Sequence, residues 1–79
     1  MKVHYSMSAQ RALRRSEKRE LIRQKIEQLA IDPESLASNV KRLHGRKESR
    51  LRVQDWRVIF RIEGDVLHVR EIGPRGSIY

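Results

Sequence analysis

Along the chain, apolar positions change period three times, and each change marks a structural element. Between Lys2 and Ser6, Val3 and Tyr5 alternate with Lys2 and His4, the period-two pattern of a half-buried strand. From Ser8 the spacing becomes helical, with Ala9, Ala12 and Leu13 on one side and Arg11, Arg14 and Arg15 largely on the other. In a second helical run Ile22, Ile26 and Leu29 recur at intervals of four and three, flanked by Leu21 and Ala30 on a polar background. The spacing predicts two helices, over residues 8–14 and 17–30, forming a hairpin or one kinked helix. Ser16 is placed to cap the second, with Glu17 and Glu20 in its first turn, where the helix dipole favours negative charge. Asp32-Pro33 stops it, because the residue before a proline is pushed out of the helical region.

Residues 32–47 read as an irregular connector with one turn of helix at 34–37. From Ser49 the alternation returns: Leu51 and Val53 against Arg50 and Arg52, then Val58, Phe60 and Ile62 against Arg57, Ile59 and Arg61. A third run, Val66 to Ile72, is rich in β-branched residues and is joined to the second by the hairpin signal Glu63-Gly64-Asp65. The order is β-α-α-β-β-β. It predicts an α+β fold in which a small antiparallel sheet carries two N-terminal helices on one face. With 79 residues and no internal repeat, the chain is read as one domain over residues 1–79 with a small core. Such a core leaves a folding margin of only about 3–5 kcal/mol.

That alternation decides where the charges go. If Leu51, Val53, Val58 and Phe60 face the helices, then Arg50, Arg52, Arg57 and Arg61 emerge together on the free face. Taking Leu67 and Val69 as core residues of the last strand adds His68 and Arg70 to that face. Between residues 41 and 61 stand eight cations, Lys41, Arg42, Arg46, Lys47, Arg50, Arg52, Arg57 and Arg61, against Glu48 and Asp55 alone. The whole chain carries +8, and thirteen of its eighteen cations are arginine, whose planar fork grips phosphate bidentately. The charge therefore points to a polyanion, nucleic acid ahead of membrane, with an acidic protein as the rival partner. No stretch approaches the apolar length of a membrane span, and the first ten residues lack an apolar signal core. The lack of cysteine excludes disulfides and thiolate metal sites and fits a reducing, cytoplasmic setting.

Trp56 shares the inward parity of the strand it opens and reads as a packing residue rather than a base-stacking platform. The closing segment Ile72-Gly73-Pro74-Arg75-Gly76-Ser77-Ile78-Tyr79 is harder to explain by packing. Two glycines and a proline make a shaped turn that can aim Arg75 and Tyr79 back across the sheet edge.

Three stretches, Lys41-Arg42-Leu43 to Gly45, Ser49 to Phe60, and Glu71 to Arg75 closing on Tyr79, together resemble the RelE/ParE superfamily of bacterial type II toxin-antitoxin toxins. The shared pattern is "L-x-G", then "R-L-R-V-x-D-W-R-V-I-F", then "I-G-x-R", and it looks closer to the RelE branch. The resemblance implies a microbial-RNase-like fold with the active surface on the concave sheet face. It also implies cleavage of mRNA in the ribosomal A site without a metal or other cofactor, and silencing by a cognate antitoxin. Complexes of this kind are often multimeric and bind their own operator DNA. By the same resemblance Arg57 and Arg75 stabilise the phosphate, Tyr79 stacks on or orients the nucleotide, and Arg50 falls where RelE carries a basic residue. Arg52 becomes a backbone contact, and Arg46, Lys47, Arg61, Arg70 and His68 complete the RNA-binding set.

One departure matters. RelE places lysines on the strand before the conserved arginine, and here Glu48 and Arg50 stand at those places. Arginine is a poor proton acceptor, so the general base stays open among Glu48, His68, Lys47, His44 and a group supplied by the ribosome. Two other functions compete with the nuclease: a ParE-like inhibitor of DNA gyrase without nuclease chemistry, and a plain nucleic-acid-binding module with Trp56 as its stacking residue.

Overall fold

The computed structural model describes residues 1–77, and Ile78 and Tyr79 lie outside the described residues. Strand β1 (Lys2–Tyr5) is followed by helices α1 (Met7–Arg15) and α2 (Arg19–Ile31). After a 3-10 helix (Pro33–Asn39) come β2 (Val40–Arg42), β3 (Ser49–Val53), β4 (Trp56–Glu63) and β5 (Val66–Pro74).

Serines fix both ends of α1. The Ser6 hydroxyl accepts a hydrogen bond from the Ala9 N–H at 3.0 Å, satisfying one of the first-turn donors. At the other end the Ser16 N–H donates to the Leu13 carbonyl and its hydroxyl accepts from the Lys18 N–H. Ser16 is buried, and it joins the two helices by capping the turn between them rather than by opening a long second helix. Helix α2 presents Ile22, Ile26 and Leu29 inward at the predicted spacing and ends where the Asp32 N–H closes the last turn before Pro33.

The α+β class and the helices on one face are as the sequence predicts. Ala9, Leu13, Ile22, Ile26 and Leu29 pack against Leu51, Val53, Val58, Phe60, Leu67, Val69 and Ile72 of the sheet. The sheet differs in two details. It has five strands in the order β1-β5-β4-β3-β2, because Val40–Arg42, read as connector, pairs antiparallel with β3. It is also mixed, since β1 runs parallel to β5 while the other pairs are antiparallel. Two intervening helices and the meander return the chain to β1's flank in the same direction, the long connection a parallel pair requires.

A bulge interrupts β4 and β5. Phe60 pairs with Val69 and Ile59 with Glu71, so Arg70 is the extra residue between them. The bulge explains why the inward residues of β5 are Leu67, Val69 and Ile72, spaced by two and then three.

Candidate nucleic-acid interface

Strand register places the open-face side chains in rows. Arg52 on β3 stands opposite Arg57 on β4, and Arg57 stands opposite Gly73 on β5. In the next row Lys41, Arg50, Ile59 and Glu71 follow one another across four strands. Ile59 is wholly buried yet belongs to this face, not to the helix-side cluster. It forms an apolar floor between the surrounding charged side chains.

The β3-β4 turn holds two of the cations. Its two residues are Gln54 and Asp55, and Gln54 adopts φ of 54°, a left-handed conformation uncommon outside glycine and asparagine. The Arg57 Nη1 donates to the Gln54 carbonyl at 2.9 Å and to the Trp56 carbonyl at 3.0 Å. The Arg75 N–H donates to the Asp55 carbonyl at 2.7 Å, just past the pairing of Pro74 with Trp56. One tight turn therefore anchors Arg57 by its side chain and Arg75 by its backbone. Desolvation, and then the positive charges of Arg50, Arg75 and Arg52, push the Arg57 pKa below the ordinary arginine value, with Asp55 opposing. The guanidinium stays charged, and four arginines from β3, β4 and the C-terminal turn act on one place.

Beside them lies a groove of about 250 Å³ lined by Ser38, Asn39, Val40, Lys41, Arg50, Arg52 and Arg57. A wider hollow of about 710 Å³ sits in the loop Lys41 to Lys47 and holds Arg46, Lys47 and His44. That hollow is made by one continuous stretch of chain, whereas the groove draws side chains from the 3-10 helix and three strands. Convergence of separate elements makes the groove the better-built site.

The remaining sequence-predicted residues stand elsewhere. Arg61 and His68 are cross-strand partners, four residues along β4 from Arg57, or about 13 Å at roughly 3.3 Å per residue. Both contact one carboxylate oxygen of Glu63, Arg61 at 3.3 Å and His68 at 3.4 Å, and the His68 ring meets His4 edge-on. Arg70, at the bulge, joins Arg46, Glu48 and Glu71 around a third hollow of about 510 Å³ beside Ser6 and Ser8 at the start of α1. There Glu48 bonds the Arg46 Nε at 3.1 Å. Desolvation raises the Glu48 pKa, but the hydrogen bonds from Arg46 and its own backbone, with the charges of Arg46 and Arg70, outweigh it and leave the carboxyl below its ordinary range.

The structure thus brings Arg50, Arg52, Arg57 and Arg75 together and separates them from Arg46, Lys47, Arg61, His68 and Arg70. Tyr79 lies outside the described residues. Trp56 is half-buried against the core, as its parity predicts. Sequence reasoning missed Lys41 as a member of the groove, because its strand is three residues long; Val40, an apolar residue before a loop closed by Gly45, was the available signal. Among the described residues no three His, Asp or Glu side chains are grouped to hold a metal ion, and no helix is long and apolar enough to cross a membrane.

Comparison with known proteins agrees with this architecture. E. coli YafQ superposes with a TM-score of 0.80 at 14% identity, covering 98% of this chain and 96% of that one. The archaeal RelE-RelB complex from Pyrococcus horikoshii contains a chain matching at 0.79 and 23% identity, with 96% of each chain covered. The intact E. coli RelBE toxin-antitoxin complex matches at 0.75 and 18% identity, over 96% of this chain and 98% of that chain. At these identities the likeness is one of fold. No curated protein matches the sequence significantly. The sequence model describing the ParE toxin of the type II toxin-antitoxin system parDE matches residues 3–79, and the chain belongs to that toxin family, within the RelE/ParE superfamily.

Proposed function

We propose that this toxin is an endoribonuclease that cuts mRNA on the ribosome. In the reaction the RNA's own 2′ oxygen attacks the adjacent phosphorus, leaving a cyclic phosphate and a 5′-hydroxyl. The observation that carries the reading is the convergence of Arg50, Arg52 and Arg57 on one groove, with Arg75 tied by its backbone to the same turn that holds the Arg57 side chain. Such chemistry needs a grip on the splayed backbone and donors for the charge that builds on the phosphorane. With both hydrogens of Nη1 committed to carbonyls, Arg57 retains Nη2 and Nε as donors toward phosphate. Arg75, Arg50 and Arg52 add charge from the flanks, Tyr79 orients the nucleotide, and Arg61, His68, Arg46, Lys47 and Arg70 hold flanking phosphates. The partners are ribosome-bound mRNA and a cognate acidic antitoxin that covers the basic face, in a complex able to bind operator DNA.

Induced expression followed by primer extension on a reporter mRNA tests this. In-frame cuts that vanish in Arg75→Ala support it, and removal of one such donor costs about 10²–10³ in rate. The family-model match favours a second reading, a ParE-like block of DNA gyrase. Intact transcripts with induction of the DNA-damage response would select it.

A further inference from the structure

We infer that Lys41 is the general acid of the groove. The inference rests on the nuclease reading above and supplies the proton carrier that the arginines cannot be.

Cleavage of the chain requires a proton for the departing 5′ oxygen. Arginine stays charged in proteins and is a poor proton donor, which excludes Arg50, Arg52, Arg57 and Arg75. The four protein groups that the sequence offered as general base do not line the groove. His68 pairs with Arg61, four residues along the sheet from Arg57, a separation of about 13 Å, and Glu48 lines the hollow with Arg46, Arg70 and Glu71 rather than the groove. Glu48 is further held in its ionised form by Arg46. His44 and Lys47 line the loop hollow.

Lys41 borders the same hollow, but unlike the other residues lining it, it also lines the groove. It is the direct cross-strand partner of Arg50 and, like it, lines the groove together with Arg52 and Arg57. Such partners have Cβ atoms about 4.5–5.5 Å apart, and a lysine stem easily spans the rest. Its side chain is exposed at the open edge of the sheet. Among the described residues lining the groove, Lys41 is the one cation whose ammonium can give up a proton and take it back.

In the step assigned to it, the 2′ oxygen bonds to phosphorus and its proton leaves to solvent. The bond from phosphorus to the 5′ oxygen breaks, and Lys41 Nζ passes a proton to that oxygen. The neutral amine then recovers a proton from water, so the protein is unchanged and the products are the cyclic phosphate and the 5′-hydroxyl.

The test is single-turnover cleavage of ribosome-bound mRNA by the full-length protein, comparing wild type with Lys41→Arg and Lys41→Ala, all shown to be folded by circular dichroism. Two substrates are used, one natural and one with sulfur in place of the departing 5′ oxygen, which needs no proton to leave. Lys41→Arg keeps the charge, so RNA affinity stays within about twofold, yet cleavage of the natural substrate falls by about 10²-fold or more. On the sulfur substrate both variants recover to within a few-fold of wild type. Natural-substrate cleavage by Lys41→Arg at the wild-type rate overturns the inference and leaves the nuclease reading standing, as does a defect that persists with sulfur. A wild-type protein that leaves both substrates intact overturns the two together.

Discussion

Arg52 and Arg57 stand directly opposite each other across β3 and β4, so two guanidiniums occupy one cross-strand position. Like charges so placed oppose folding by about 0.2–1 kcal/mol. The Gln54 and Trp56 carbonyls offset part of that cost by drawing the Arg57 Nη1 toward the turn. Arg52→Ala should therefore stabilise the free protein by about 0.5 kcal/mol, or roughly 2–4 °C in Tm. The same variant should bind single-stranded RNA more weakly, with a salt slope shallower by about 0.7. Thermal melts and a salt titration of binding check both halves, and a lowered Tm would contradict the repulsion.

The turn itself carries strain that can be measured. Gln54 sits at φ of 54°, where an L-residue gives up about 1–2 kcal/mol. Glycine escapes that penalty but loses up to about 1 kcal/mol through the freedom it gains when unfolded. Gln54→Gly should raise stability by roughly 0.5 kcal/mol in urea unfolding. Gln54→Val, which is β-branched and ill-suited to positive φ, should lower it.

Glu48 gives the acid limb of stability a defined contributor. Its folded pKa lies below the ordinary 4.5, against the desolvation that works to raise it, because Arg46, the backbone N–H and Arg70 favour the carboxylate. The unfolded chain consequently binds that proton more readily than the folded one. The contribution is complete above pH 4.5 and disappears as pH falls through the depressed folded value. Glu48→Gln should flatten the decline of stability below pH 4.5 while the rest of the acid limb remains, as followed by denaturation midpoints across pH.

The core has little reserve. Ile26 is fully buried between α2 and the sheet, whereas Ile31, at the end of the same helix, is 84% exposed. Ile26→Ala should cost about 2–5 kcal/mol, comparable to the whole margin of a domain this small. Circular dichroism at 25 °C should then show a largely unfolded free protein, while Ile31→Ala stays within about 0.5 kcal/mol of wild type.

Strand parity made much of the interface legible before any coordinates. The alternation of Leu51, Val53, Val58 and Phe60 with arginines fixes the common face of Arg50, Arg52 and Arg57, because a strand has only two sides. Parity cannot say how far apart two residues on one face lie. It grouped Arg61 and His68 with Arg57, although register puts them at the other end of the sheet. Nor does it reveal a bulge, which moved Arg70 toward Glu48 and Arg46. Strand β2 escaped notice because three residues display no period, and what defines it is pairing with β3, visible only in space. The parallel alignment of β1 was hidden for the same reason, since a single short alternating segment has no intrinsic direction relative to its neighbour.

The pairing of the first strand with the last orders the birth of the fold. Val3 meets Leu67 and Tyr5 meets Val69, so β1 has no neighbour to bond until β5, more than sixty residues later, has been synthesised. Contacts spanning so much sequence form slowly. During that interval the N-terminal helices lack the part of their platform that Leu67, Val69 and Ile72 supply. A translation product arrested before β5 would on this logic lack the partner of β1 and the strand that leads into Arg75.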